Sequence, residues 1–299
     1  MQTVVVGDIP MPGALRVPHA IRAVVPLRRP IKEIMAGYGD KLRRVVRQQQ
    51  VRCRVEQALN DGDVARAESE MLRPYAIARY GTGAAQLGEG VVRKMAREQG
   101  RLDVVYSDGE VVSCHLGYET VRAGKRYWNA LRFGFSAAVF FDSKRLHEIN
   151  SLNIHLAMEW ALKNGFDSYD IGDCIGRPDD GLLQWKRRRG GFVDASLNCR
   201  FFSVRLPQAG ADELLWHSPH FSLKRSGLTL HPGAPVSRTD DEVAFRYREM
   251  GYAGLAKVYL HGVLPSNLQH LDRLRRLAPR LRRSASGRRC SSEQVNARD

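Results

Sequence analysis

A chain of 299 residues with 43% apolar and 26% charged residues has the composition of a globular protein with a real core. Its formal charge of +15 points to anionic partners or to a strongly cationic, soluble surface. It has no run of about 18 apolar residues, which excludes a helical membrane span, and Pro10, Pro12 and Pro18 interrupt the apolar start, so no signal peptide is expected.

Five cysteines, at 53, 114, 174, 199 and 290, contain no C-x-x-C pair, so neither a zinc site nor a disulfide framework follows. They read as small, mostly buried residues of a reducing, cytoplasmic protein. Cys174, in a loop, is the one position where a nucleophilic thiol competes with that reading. The charge is uneven: nine arginines from Arg273 to Arg298 face only Glu293 and Asp299, a balance of +7 that leaves +8 for the rest. Residues 273–299 read as a basic, disordered tail.

In chain order, residues 1–29 read as a strand-poor lead segment. The spacing of Ile34, Leu42, Val45, Val46 and Val55 predicts helix from about residue 30 to 59, with Gly37 and Gly39 breaking its front. "DVARAESEMLRPYAIARYG" predicts a helix ending at Pro74, and "GEGVVRKMAREQG" another stopped by Gly100. "LDVVYS", the Asp108–Gly109 turn and "EVVSCHLGYET" then predict a hairpin. A second turn near Gly124 leads into the aromatic strand "RYWNALRFGFS". "KRLHEINSLNIHLAMEWALKNG" predicts an amphipathic helix over 146–164, closed by Gly165. "FDSYDIG" follows as a short strand, "GLLQWKRRR" as a helical turn and "GFVDASLNCRFFSVRLP" as a long final strand. After Pro207 the chain reads as irregular, with a helix over 240–250 and a strand at "AKVYLHG". The fold class is therefore α/β: a mixed, mostly antiparallel central sheet flanked by helices.

That order, with "DGEVVSCHLGYET", "LNIHLAMEWALKNGFDSYDIG" and "LLQWKRRRGG" in it, resembles the GNAT (GCN5-related N-acetyltransferase) fold. It is closest to the branch of CelD-type acyltransferases and Fem-type peptidyltransferases. The resemblance covers roughly residues 30 to 206, with Gly165, Asp170 and Gly172 as its G-x-x-x-x-D-x-G join. It implies transfer of an acyl group to an amine or a hydroxyl, from a CoA thioester or, in Fem-type members, from aminoacyl-tRNA. It also implies a strand N–H that polarises the carbonyl. Two departures stand out. The usual glycine-rich pyrophosphate loop is absent from "FFDSKRLHEINSLN". The N-terminal part, 1–29, is short for a complete first lobe and at most a remnant of one. The GNAT-like domain spans 30–207, and 208–272 is a C-terminal appendage.

Candidate site residues cluster near the join. Lys186 and Arg187 could hold a donor or acceptor phosphate. Consecutive residues of a helical turn point about 100° apart, so at most two of Lys186 to Arg189 share a face; the alternative is a solvated basic face with Leu182 and Trp185 in the core. Asp170 and Asp173 could take the proton of an attacking amine, or pair with neighbouring cations. Tyr127 and Asn129 share one strand face and Trp128 takes the other. His115 reads as structural. Trp185, Tyr127 and Asn129 join Lys186 and Arg187 as expected substrate or cofactor contacts, with no metal.

Three functions follow as expectations. The first is an acyl-CoA-dependent N-acyltransferase acting on an amino sugar, a polysaccharide precursor or a small amine. The second is an aminoacyl-tRNA-dependent transferase, with the basic segment 41–54 and the tail on the RNA backbone. The third is a non-catalytic GNAT-like scaffold for anionic partners.

Overall fold

The computed structural model describes residues 5–84, 86–88, 90–194, 200–262 and 281–283. In chain order its elements are β1 (Val5–Gly7), β2 (Leu15–Pro18), β3 (Ala20–Pro26), α1 (Ile31–Ala36), α2 (Asp40–Gln50), β4 (Cys53–Gln57) and α3 (Asp61–Ala67). A π-helical turn, Glu68–Leu72, runs into α4 (Arg73–Tyr80). A second, Met95–Gln99, extends α5 (Val91–Lys94). Then come β5 (Gly100–Ser107), β6 (Glu110–Arg122), β7 (Lys125–Phe135), α6 (Ala137–Phe140), α7 (Ser143–Lys163), β8 (Ser168–Ile175), α8 (Gly181–Arg187), β9 (Phe192–Asp194) and β10 (Phe201–Arg205). The remainder is α9 (Ala211–His217), β11 (His220–Lys224), β12 (Gly227–His231), α10 (Asp240–Met250), β13 (Lys257–Leu260) and β14 (Leu281–Arg283).

The chain divides into two compact units. The larger comprises Ala23–Gly172 and Lys186–Phe192 and carries a seven-stranded sheet in the order β4-β5-β6-β7-β8-β3-β9. Strands β4 to β7 are antiparallel neighbours, and β7 pairs with β8 in parallel. This is the expected mixed sheet. Both hairpin turns place two residues at positive φ: Asp108 and Gly109 at 54° and 88°, Ala123 and Gly124 at 48° and 72°. That is the turn whose twist matches antiparallel strands.

One apolar cluster joins Leu102, Val104, Cys114 and Leu116 to the helical segment from Val64 to Leu72. A second joins Val105, Val112 and Phe135 to Val139, Ile149 and Leu152 of α6 and α7. Gly134 lies where a Cβ would meet the Cys114 sulfur at 2.7 Å and the Leu72 backbone nitrogen at 2.8 Å. Only glycine lets helix and sheet approach so closely there.

The smaller unit comprises Met1–Arg22, Asp173–Trp185 and Val193–Asp299. Its three-stranded sheet has the order β1-β10-β2, and a second sheet has the order β11-β12-β13-β14. Helix α10 begins with a full capping box between Thr239 and Glu242.

Several elements differ from the expectations. The lead segment forms three strands rather than turns, because Ile21, Val24 and Val25 are buried. The helix expected to run to residue 59 ends at Gln50, and Val55 belongs to edge strand β4; the short alternation in "CRVEQ" is hidden within a longer helical pattern. Pro74 does not stop its helix. It stands in the first turn of α4, directly after the π-helical turn Glu68–Leu72, which interrupts the regular i→i−4 ladder before it. The segment after Pro207 is ordered: α9 and the β11–β12 hairpin fill it. Of the basic tail, only 281–283 falls among the described residues, as a strand parallel to β13. Cys199 and Cys290 lie outside the described residues.

Candidate functional site

The β7–β8 ladder within the larger unit runs from Tyr127↔Ser168 to Asn129↔Asp170. The next glycine of β8, Gly172, has φ of 85°, a left-handed conformation that turns the strand away from a regular path. The last paired position is therefore also where the two strands begin to part.

A buried polar network marks that position. Asp170 is 1% exposed and accepts hydrogen bonds from the Arg122 guanidinium at 3.0 Å and from the Gly172 N–H at 2.8 Å. Arg122 also donates to Asn129 Oδ1 at 2.7 Å and lies over the Tyr127 ring, 4.6 Å from its centroid. Asn129 donates from Nδ2 to the carbonyls of Tyr118 and Tyr127 and to Thr120 Oγ1. Each group satisfies another, which is what a charged pair needs to survive burial. Trp128, on the other strand face, packs against Trp160 and Phe166. So Tyr127 and Asn129 share a face, as alternation requires, and it is the face that holds Arg122 and Asp170.

The basic run divides in two. Lys186 and Arg189 are 4% and 2% exposed, three residues apart on one face. Arg187 is half-buried and Arg188 exposed. The Lys186 ammonium donates to the Gly172 carbonyl at 2.9 Å. Asp170 and Lys186 thus grip both sides of Gly172, the last glycine of the G-x-x-x-x-D-x-G join. Arg189 donates to Ser151 Oγ at 2.6 Å, and Ser151 in turn donates to the His147 carbonyl. Burial lowers the Arg189 pKa to about 10, and the nearby Tyr38 pulls it partly back up. A wholly solvated basic face is therefore not what forms. Leu182 is exposed, and its neighbour Leu183 is buried in its place.

Asp173 and Trp185 belong to the smaller unit. Asp173 pairs with the Arg22 guanidinium at 2.9 Å and keeps about half of its side chain exposed. Trp185 is half-buried. His115 is buried, stacks on Phe133 with centroids 4.7 Å apart, and has its pKa pushed down to about 3 by burial, as suits a structural histidine. Cys174 is buried.

Two residues of the region escape the sequence reading. Arg122 is the cation of the network; its signal is an arginine at a hairpin end, seven residues before Asn129. Asp142 is the N-cap of α7, its carboxylate accepting from the backbone N–H groups of Lys144 and Arg145 at 2.9 and 3.0 Å. The free amides of this helix start, a kind of group that can bind anions, already hold a carboxylate. On the exposed side of α2, Lys41, Arg44 and Arg47 recur every three residues and form a cationic stripe. Among the described residues, no group of three or more His, Cys, Asp or Glu could hold a metal, and no helix is long and apolar enough to cross a membrane.

No family model and no curated protein matches the chain. Among solved structures it is similar to FemX, with 14% identity and a TM-score of 0.47 over 70% of this chain and 67% of that one. It is also similar to the C-terminal domain (DUF2156) assigned to a lysylphosphatidylglycerol synthetase of Agrobacterium fabrum, with 16% identity and a TM-score of 0.45 over 68% of this chain and 65% of that one. A GCN5-related N-acetyltransferase from Sphaerobacter thermophilus matches with 15% identity and a TM-score of 0.34 over 68% of this chain and 59% of that one. The chain thus spans about two thirds or less of the length of each.

Proposed function

We propose that the chain is a GNAT-like transferase that moves an activated acyl group onto an amine, with the reacting carbonyl held where β7 and β8 part. The observation that supports this is the buried Arg122–Asp170–Asn129 network at the last rung of that ladder. It fixes the strand ends rigidly, and a fixed backbone N–H on β7 beyond Asn129 is the kind of donor that stabilises a developing oxyanion without reorganising. Proximity of amine and carbonyl supplies the rest, with no covalent enzyme intermediate.

Asp170 positions Arg122 and Gly172 in this reading. The proton acceptor is a group outside that pair, and Asp173 is the sequence candidate for it. Lys186 acts through Gly172, and Arg187 keeps the phosphate-binding role expected of it. The protein works in the cytoplasm.

The two expected donors are a CoA thioester and an aminoacyl-tRNA. One observation favours the second: Asp142 occupies the amides at the start of α7 and brings negative charge there, which disfavours a pyrophosphate. The stripe of Lys41, Arg44 and Arg47 gives an RNA backbone something to neutralise. The test supplies the purified chain with a panel of amines and either radiolabelled acetyl-CoA or total tRNA charged with labelled amino acids. Transfer from tRNA alone supports the reading. Transfer from acetyl-CoA keeps the reaction class and overturns the donor. Salt-sensitive tRNA binding without transfer from either donor leaves the non-catalytic scaffold.

A further inference from the structure

The larger unit also holds a cavity of about 280 Å³, between α7 and strands β4 to β6. It lies on the sheet face that carries Trp128 and packs against Trp160 of α7, opposite the Asn129 network. Strand positions facing an amphipathic helix are normally apolar. Yet three of the side chains lining this space are polar and at least nine-tenths buried: Asp103 at 7%, His115 at 2% and Asn153 at 1% exposed.

Their partners define what the cavity accepts. Arg101 binds Asp103 at 2.5 Å, and Lys163 pairs with Glu159 at 3.6 Å, so the four formal charges around the space cancel in pairs. Burial keeps His115 neutral. Asn153 accepts from Ser113 Oγ at 3.0 Å, while its amide nitrogen has no hydrogen-bond partner among the described residues. A buried donor left without an acceptor is costly, so a ligand oxygen that reached it would relieve that cost. Trp160, Leu156 and Ala157 supply apolar wall. At about 280 Å³ the space lies just below the range of pockets for drug-sized ligands and suits a smaller molecule.

We propose that this cavity binds a small uncharged molecule with a compact apolar body and a carbonyl-type acceptor. The body lies against Trp160 and Leu156, and the oxygen takes the amide hydrogens of Asn153. The site does not rest on the transferase reading, because it uses none of the residues at the β7–β8 join.

Benzamide tests it, with benzoate and benzylammonium as its charged counterparts. Each is titrated while the Trp160 indole N–H is followed by heteronuclear NMR, the resonance being assigned with Trp160→Phe. Benzamide is expected to give a saturable shift at millimolar concentration, and the two ions to bind at least tenfold more weakly. Asn153→Leu should weaken benzamide tenfold or more, and Ala157→Phe, which fills the space, should abolish the shift. If Ala157→Phe does not fold, the charge series and Asn153→Leu still decide. The absence of a saturable shift would mean that the cavity holds only water. Equal binding of all three probes, or Asn153→Leu binding like wild type, would overturn the proposal as well.

Discussion

Removing Arg122 tests whether the network at the β7–β8 join is held by charge. Arg122→Ala strips Asp170, a carboxylate with 1% of its side chain exposed, of a 3.0 Å charge-assisted bond. It also takes from Asn129 a 2.7 Å donor and from Tyr127 a cation over its ring. Stripping one partner from a buried ion pair costs about 3–5 kcal/mol. The Arg122 side chain is 19% exposed, so water can enter the vacated space and the lower end, about 3 kcal/mol, applies. With a urea m-value of about 2 kcal/mol/M, the unfolding midpoint should fall by about 1.5 M. Arg122→Lys keeps the charge but loses the planar fork, and should fall between wild type and Arg122→Ala. The informative variant is Arg122→Met combined with Asp170→Asn. It removes both charges and should be more stable than Arg122→Ala, because the buried carboxylate that lost its guanidinium is no longer charged. Urea melts of the four proteins decide. An Arg122→Ala midpoint within about 0.5 M of wild type, or a double variant weaker than the single one, would refute the reasoning.

Other consequences can be measured the same way. Burial drops the His115 pKa to about 3, below its unfolded value near 6.5. Its contribution to stability is therefore complete above pH 6.5 and is lost as pH falls from there towards 3. At pH 5 the loss is about 2 kcal/mol, and His115→Gln should flatten the acid limb by that amount; an unchanged limb in urea melts at pH 7 and pH 5 would count against it. Gly134→Ala puts a methyl group against the Leu72 backbone and the Cys114 sulfur and should cost about 1–3 kcal/mol, read as a lower midpoint. Asp142→Ala removes the α7 cap and should cost about 1 kcal/mol. If that carboxylate excludes a pyrophosphate, calorimetry should also show tighter CoA binding by Asp142→Ala, and unchanged binding would remove that support for the tRNA donor. Replacing Lys41, Arg44 and Arg47 with alanine should reduce the salt dependence of tRNA binding by about 0.7–0.9 log units for each phosphate no longer neutralised; an unchanged slope places the RNA elsewhere.

The sequence is most legible where local chemistry and long periodicity agree. The Asp108–Gly109 turn, the 21-residue helix α7 and helix α10 all carry their own turn or cap signals. It is least legible where burial overrides a weak local pattern. Strands β2 and β3 are short, and β4 continues a segment whose preceding turns are helical. At the site, Asp170, Asn129 and Lys186 stand out as residue types near a glycine join, but their partners do not. Arg122 is 48 residues from Asp170 in the chain, and Lys186 reaches back 14 residues to a backbone carbonyl. No spacing rule predicts either contact. The division of the Lys186–Arg189 run is legible in part, since helical geometry allows two of the four to share a face. That the shared face is buried is not.

The larger unit is interrupted in the chain between Gly172 and Lys186, and this constrains how the protein can be made. On a ribosome, Met1–Arg22 emerges before the other two segments of the smaller unit. Yet β1 and β2 pair with β10, whose residues Phe201–Arg205 come far later. At about 5–20 residues per second the early strands wait roughly 10 to 40 s for that partner. Arg189 and Lys186, which reach back to Ser151 of α7 and Gly172 of β8, likewise arrive after the elements they fasten. A chain stopped before Arg205 would therefore leave two strands without their central neighbour, and one stopped before Lys186 would leave the carbonyl of Gly172 without its ammonium. Nascent chains of such lengths should be the ones that chaperones hold.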